Sequence, residues 1–129
     1  MTFDRKYLLC ALVYAVLGMS LGIYMAASHN HAEFVTHAHI LLVGFVVSFI
    51  YGTIHKLWLV LPGAGISNVQ FLLHQVSAIT LACGLFLLYG NRVPMPTLEP
   101  ILATASIGVL VAMLLMIYMV VRFKGARSA

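Results

Sequence analysis

The sequence predicts an all-α membrane protein, a four-transmembrane-helix bundle with both termini cytoplasmic, and three observations carry that prediction. Of the 129 residues, 63% are hydrophobic and only 8% are charged, and the mean hydropathy of +1.06 lies far above that of water-soluble domains. Four long apolar stretches, each near the ~20 residues that a helix needs to cross a bilayer, make up most of the chain. The basic residues collect at alternate ends of those stretches. Four spans leave no room for a soluble domain, so water-soluble enzyme folds are excluded. The formal charge of +4 therefore bears on topology. Membrane lipid is the expected surrounding, and nucleic acid is not an expected partner.

The spans are expected at 7–27, 34–61, 69–90 and 101–121, as one four-helix domain. Ser28 to Glu33, the turn Pro62-Gly63-Ala64-Gly65 running to Asn68, and Asn91 to Pro100 with three prolines separate them, and all are compositions that start or stop helices. The first span begins with basic residues and ends near Met25-Ala26-Ala27-Ser28, in the manner of a signal peptide. Its apolar run is longer than a signal core, so it is expected to belong to the mature protein. With a cytoplasmic amino terminus, Arg5, Lys6, Lys56, Arg122, Lys124 and Arg127 lie on the inner side and Arg92 alone outside. Helices one and three then run outward and helices two and four inward, in a bacterial-type inner membrane.

Small residues mark packing faces. Ala11, Ala15, Gly18, Gly22 and Ala26 share one side of the first helix, and Ala105, Gly108 and Ala112 one side of the fourth, where lipid provides no hydrophobic drive for association. Met113, Met116 and Met119 are read as gap-filling side chains rather than copper ligands. Cys10 and Cys83 fall at different depths and are expected as free thiols.

The histidines carry the functional information. Five of the six fall between residues 29 and 55, and an imidazole within a span is costly enough to need a partner or a ligand. His29 and His31, beside Glu33 and ahead of His37, have the side chains of a divalent metal site, with copper as a possible cofactor, although the spacing fits no closed site. His37 and His39 point about 200° apart around a regular helix, so they cannot share one small ion. They suit a planar macrocycle such as haem, whose iron takes one imidazole on each face.

From His37, a polar stripe continues through Gly44, Ser48, Tyr51 and His55, all within about 40° of one line. Gly44 on that line leaves room for a flat ligand or a close helix. His55 lies about 27 Å below His37, and His74 of the third helix, with Gln70 and Ser77 on nearby turns, falls at a similar depth. A His55 and His74 pair can hold a second haem or metal, bind a quinone headgroup with Tyr51, or form an interhelical hydrogen bond.

The run His37-Ala38-His39-Ile40-Leu41-Leu42-Val43-Gly44-Phe45 resembles the His-x-His-x-x-x-x-Gly-aromatic segment of the catalytic subunit of haem-copper oxidases, especially the nitric oxide reductase branch. In that family one histidine of the pair binds the active-site haem and the other the low-spin haem. The family's subunit has twelve helices in three arcs of four, with its metal-binding helices second in each arc. The resemblance implies that this chain is one arc, that three copies form a homotrimer, and that haem lies between His37 of one copy and His39 of the next. The family's copper-site histidines have no counterpart here, and the three acids, Asp4, Glu33 and Glu99, lie outside the expected spans. Haem binding is thus implied more strongly than oxygen reduction.

The sequence therefore predicts a membrane haem protein, with haem b because no Cys-x-x-Cys-His attachment motif occurs. His37, His39 and Gly44 form the cofactor site, for electron transport or for gas or redox sensing, with a quinone or respiratory-chain protein as possible redox partner. The rival readings are a copper or other transition-metal carrier, with the outer His29, His31, Glu33 and His37 group, His55, His74 and the methionines as successive stations, and a structural accessory subunit of a respiratory complex.

Overall fold

A computed structural model describes residues 1–59 and 62–123. Lys124 and Arg127, and the expected end of the second span at Val60 and Leu61, lie outside the described residues. Four helices run alternately up and down: α1 (Phe3–Ser28), α2 (Phe34–Leu57), α3 (Ala64–Tyr89) and α4 (Met95–Arg122), each long and apolar enough to cross a membrane. Arg5, Lys6, Lys56 and Arg122 share one end, here the basic end, where Asp4 lies 4.0 Å from Lys56 Nζ. Arg92 lies at the opposite, loop end.

Three helices start earlier than the sequence predicts, α1 among them at Phe3 rather than Tyr7. α3 begins at Ala64 rather than Val69, because Gly63 is extended and its carbonyl accepts the Ser67 N–H at 3.1 Å. α4 begins at Met95 rather than Ile101. Pro96 falls in the first turn, where a missing N–H has no intrahelical partner to lose. Pro100 forfeits a single bond inside the helix. Asp4 and Glu99 consequently lie within helices.

α2 is not a uniform helix. Regular turns at Phe34–His39 and Val47–Leu57 flank a π-helical stretch, Ile40–Val46, which begins directly after His39. Such stretches are rare and recur at functional sites.

The packing is sequential. α2 lies against α1 on one side and α3 on the other, and α4 lies along α3. Two apolar clusters bracket the bundle. Tyr7, Tyr51, Leu59, Met116 and Met119 meet near the basic end, and Leu81, Leu85, Leu98, Leu102 and Ala105 meet nearer the loop end. Met116 and Met119 are buried in the first cluster, as their packing role predicts. Many large apolar side chains, such as Val16, Ile23, Val76 and Ile107, remain exposed on the outside, as expected of a surface solvated by lipid.

The small face of α1 seats α2. A Cβ on Gly22 would lie 2.9 Å from His37 Cε1, and one on Gly44 of α2 would lie 2.6 Å from the Tyr14 ring. The Tyr14 ring cannot retreat from so near its own backbone, so Gly44→Ala is expected to cost about 1–3 kcal/mol. Gly65→Ala, where a Cβ meets nothing within 4 Å, should be neutral or slightly stabilising. Thermal unfolding of the two variants in detergent, followed by circular dichroism, checks the contrast.

Candidate cofactor site and buried polar network

His37 and His39 enter α2 on different sides. His37 Nδ1 lies 2.7 Å from the Gly18 carbonyl of α1, and the ring is seated over Gly22. His39 Nδ1 lies 2.9 Å from the Val35 carbonyl one turn back in its own helix. Val35 packs on the cluster formed by α3 and α4, which places this face of α2 away from α1. Both contacts have the same chemical consequence. A carbonyl oxygen only accepts, so Nδ1 donates, and a neutral ring then carries its bare lone pair on Nε2. Neither Nε2 makes a hydrogen bond among the described residues, and neither is a buried orphan. An imidazole held through Nδ1 by a carbonyl, with Nε2 open, is the form that ligates a metal.

Of the two uses expected of Gly44, a flat ligand or a close helix, the space beside it holds the second, the Tyr14 ring of α1. Its role in this fold is helix contact. His29 ends α1 in a left-handed conformation, with φ of 54°, and His31 is exposed in the following turn. Glu33 turns into the bundle and accepts a hydrogen bond from Thr36 at 2.6 Å. His29, His31, Glu33 and His37 therefore do not gather. Among the described residues, no group of three or more His, Cys, Asp or Glu side chains is arranged to hold a metal ion.

Deeper in the bundle, the second half of the polar stripe meets α3. His74 is fully buried. Its Nε2 lies 3.2 Å from Ser48 Oγ, and the same hydroxyl accepts from Gln75 Nε2 at 3.3 Å. Gln75 Oε1 in turn accepts from the Tyr14 hydroxyl at 2.9 Å. A second link runs from the Tyr7 hydroxyl to Gln70 Oε1 and from Gln70 Nε2 to the Ala112 carbonyl of α4, the latter at 3.1 Å. Tyr51 packs edge-on against His74, with ring centres 4.9 Å apart, and its hydroxyl points to Met113 Sδ at 3.5 Å.

His55 and His74 are not joined by a hydrogen bond. The Tyr7 ring lies against both, 5.7 Å from His55 and 6.3 Å from His74, and His55 also stacks on Phe3. His55 Nε2, Ser67 Oγ and His74 Nδ1 are buried without a hydrogen-bond partner among the described residues. Tyr7, Tyr14 and Gln75 have no place in the polar stripe that the sequence outlines, because the tyrosines belong to the apolar first span. Their signal was present: Tyr7 and Tyr14 are two turns apart on the same side as Ala11, Ala15 and Gly18.

Ser48 supports two partners at once. Ser48→Ala should cost about 1–3 kcal/mol by stranding both His74 and Gln75. Thr104→Ala removes a hydroxyl that bonds only its own helix's Pro100 carbonyl, and should stay within about 0.5 kcal/mol. Reversible unfolding in mixed micelles measures both.

The chain matches no family model, no curated protein and no solved structure. None of these comparisons links the chain to the haem-copper oxidases.

Proposed function

We propose that this chain is a haem-binding membrane protein akin to one arc of the haem-copper oxidase catalytic subunit. In this reading His37 and His39 are the axial ligands of haem b, and the protein serves electron transfer or gas or redox sensing. The observation that carries the reading is the state of these two imidazoles, each tied through Nδ1 to a backbone carbonyl with Nε2 left open. That donor set fits haem iron. When bound, haem would supply one-electron chemistry; ligation by both imidazoles would favour electron transfer, whereas ligation by one would leave the iron able to bind oxygen or nitric oxide.

The two rings leave α2 toward different neighbours, so one chain does not present both to a single macrocycle. Two chains do, His37 from one and His39 from the next. The sequential packing of the helices, with α1 on α2 and α4 on α3, suits an arc that closes into a ring with further copies. A homotrimer rebuilds twelve helices. The excess of Lys and Arg at the basic end supports placing that end in the cytoplasm of a bacterial-type inner membrane.

Expression with ample haem should yield a pigmented protein with a Soret band. His37→Ala and His39→Ala should each remove the pigment, while His29→Ala and His31→Ala retain it. A colourless wild-type protein, or one that holds a transition metal without porphyrin, would overturn the reading in favour of a carrier or an inert subunit.

A further inference from the structure

Among the described residues, Arg5 is the one Lys or Arg side chain with neither an ion pair nor a ring contact. Lys6 lies over the Phe3 ring at 4.6 Å, Arg92 over Phe86 at 4.7 Å and Arg122 over Phe123 at 5.9 Å, and Lys56 reaches Asp4 at 4.0 Å. Arg5 instead stands on the wall of a groove of about 370 Å³ at the basic end, between α1 and α2. Asp4, Lys56 and Thr53 share its walls, and Leu8 and Phe49 carry them deeper into the span. Gly52 closes the bottom: a Cβ there would lie 3.2 Å from the Asp4 carbonyl and from Tyr7 Cβ, so the two helices touch beneath the groove.

The groove changes character along its length. At the basic end, Arg5 and Lys56 outweigh Asp4 by one positive charge. Lys56 is 73% exposed and meets Asp4 only at the limit of an ion pair, so its ammonium keeps donors to spare, as does the Arg5 guanidinium. Deeper in, Leu8 and Phe49 stay exposed, and the Thr53 hydroxyl is taken up by the Phe49 carbonyl of its own helix at 2.9 Å. That half suits a hydrocarbon chain and offers no polar contact. A ligand that satisfies both halves has a negative head and an apolar tail, and guanidinium and ammonium groups match phosphate oxygens. Asp4 already has Lys56 as its cation, so a head with its own amine would bring a third positive charge to the groove. A head hydroxyl can donate to the same carboxylate without that cost.

We propose that this groove holds one anionic phospholipid whose head carries hydroxyls and no amine. Its phosphate lies between Arg5 and Lys56, a head hydroxyl donates to Asp4, and one acyl chain runs over Leu8 and Phe49. The inference goes beyond the haem reading and does not depend on it.

The test is native mass spectrometry of the full chain in detergent, with phosphatidylglycerol, phosphatidylethanolamine and phosphatidylcholine added in equal amounts. One phosphatidylglycerol per chain should be retained, with a preference of about tenfold over either zwitterionic lipid. Arg5→Gln and Lys56→Gln should each cut that preference to about twofold. Arg122→Gln, at the same end but outside the groove, should leave it unchanged, which separates a built site from diffuse attraction to the basic end. Thr53→Trp, or Leu8→Trp should the first fail to fold, should weaken retention about fivefold or more by filling the groove. Absence of a retained lipid, equal retention of all three, the same loss in Arg122→Gln as in Arg5→Gln, or retention indifferent to the tryptophans would overturn the proposal. So would a preference for phosphatidylethanolamine.

Discussion

Hydrocarbon offers no hydrogen-bond partner, and that constraint decides how these four helices meet. A polar side chain inside a span turns to its own helix, as Thr104 does, or to a neighbouring one. Tyr14, Gln75, Ser48 and His74 answer one another across α1, α2 and α3, and Gln70 ties Tyr7 of α1 to the backbone of α4. Apolar packing alone would leave the rotation of each helix weakly specified in lipid. These bonds fix it, with two apolar clusters closing the bundle on either side. The same constraint acts on His37 and His39, whose carbonyl partners orient each ring and leave the second nitrogen open.

Close approach makes those bonds reachable. α1 and α2 interlock reciprocally: the glycine face of α1 receives Leu41 and His37, and Gly44 of α2 receives Tyr14. α3 and α4 use the same device, with Gly84 against Leu102 and Gly108 against Ser77. His37 is thus seated by shape as well as by its bond to Gly18, and the π-helical stretch that follows His39 sets the rotation between the paired histidines and the deeper polar stripe.

Much of this was legible in the sequence. Length and hydropathy give four spans, small-residue spacing gives the seating face of α1, and the 3.6-residue period picks out Gly44, Ser48 and Tyr51, all buried. The rest depends on tertiary context. A π turn has no composition of its own, so the rotation between His39 and Ser48 could not be read. Prolines signalled a loop before Ile101 because sequence does not say that Pro96 falls in a first turn. Tyr7 and Tyr14 look apolar until Gln70 and Gln75 face them. Nor does spacing reveal that Glu33 turns inward, away from His29 and His31, which removes the metal cluster their proximity in sequence suggested.

The central claim is that the two imidazoles diverge and therefore serve different chains around one haem. Coexpression of His37→Ala and His39→Ala chains, with isolation of the mixed oligomer and spectroscopy of its haem, tests this most directly. The account predicts that a low-spin bis-imidazole spectrum returns in the mixture, because an interface between unlike chains regains one intact His37 and one intact His39. Mixed oligomers as colourless as either variant alone, beside a pigmented wild type, would contradict it.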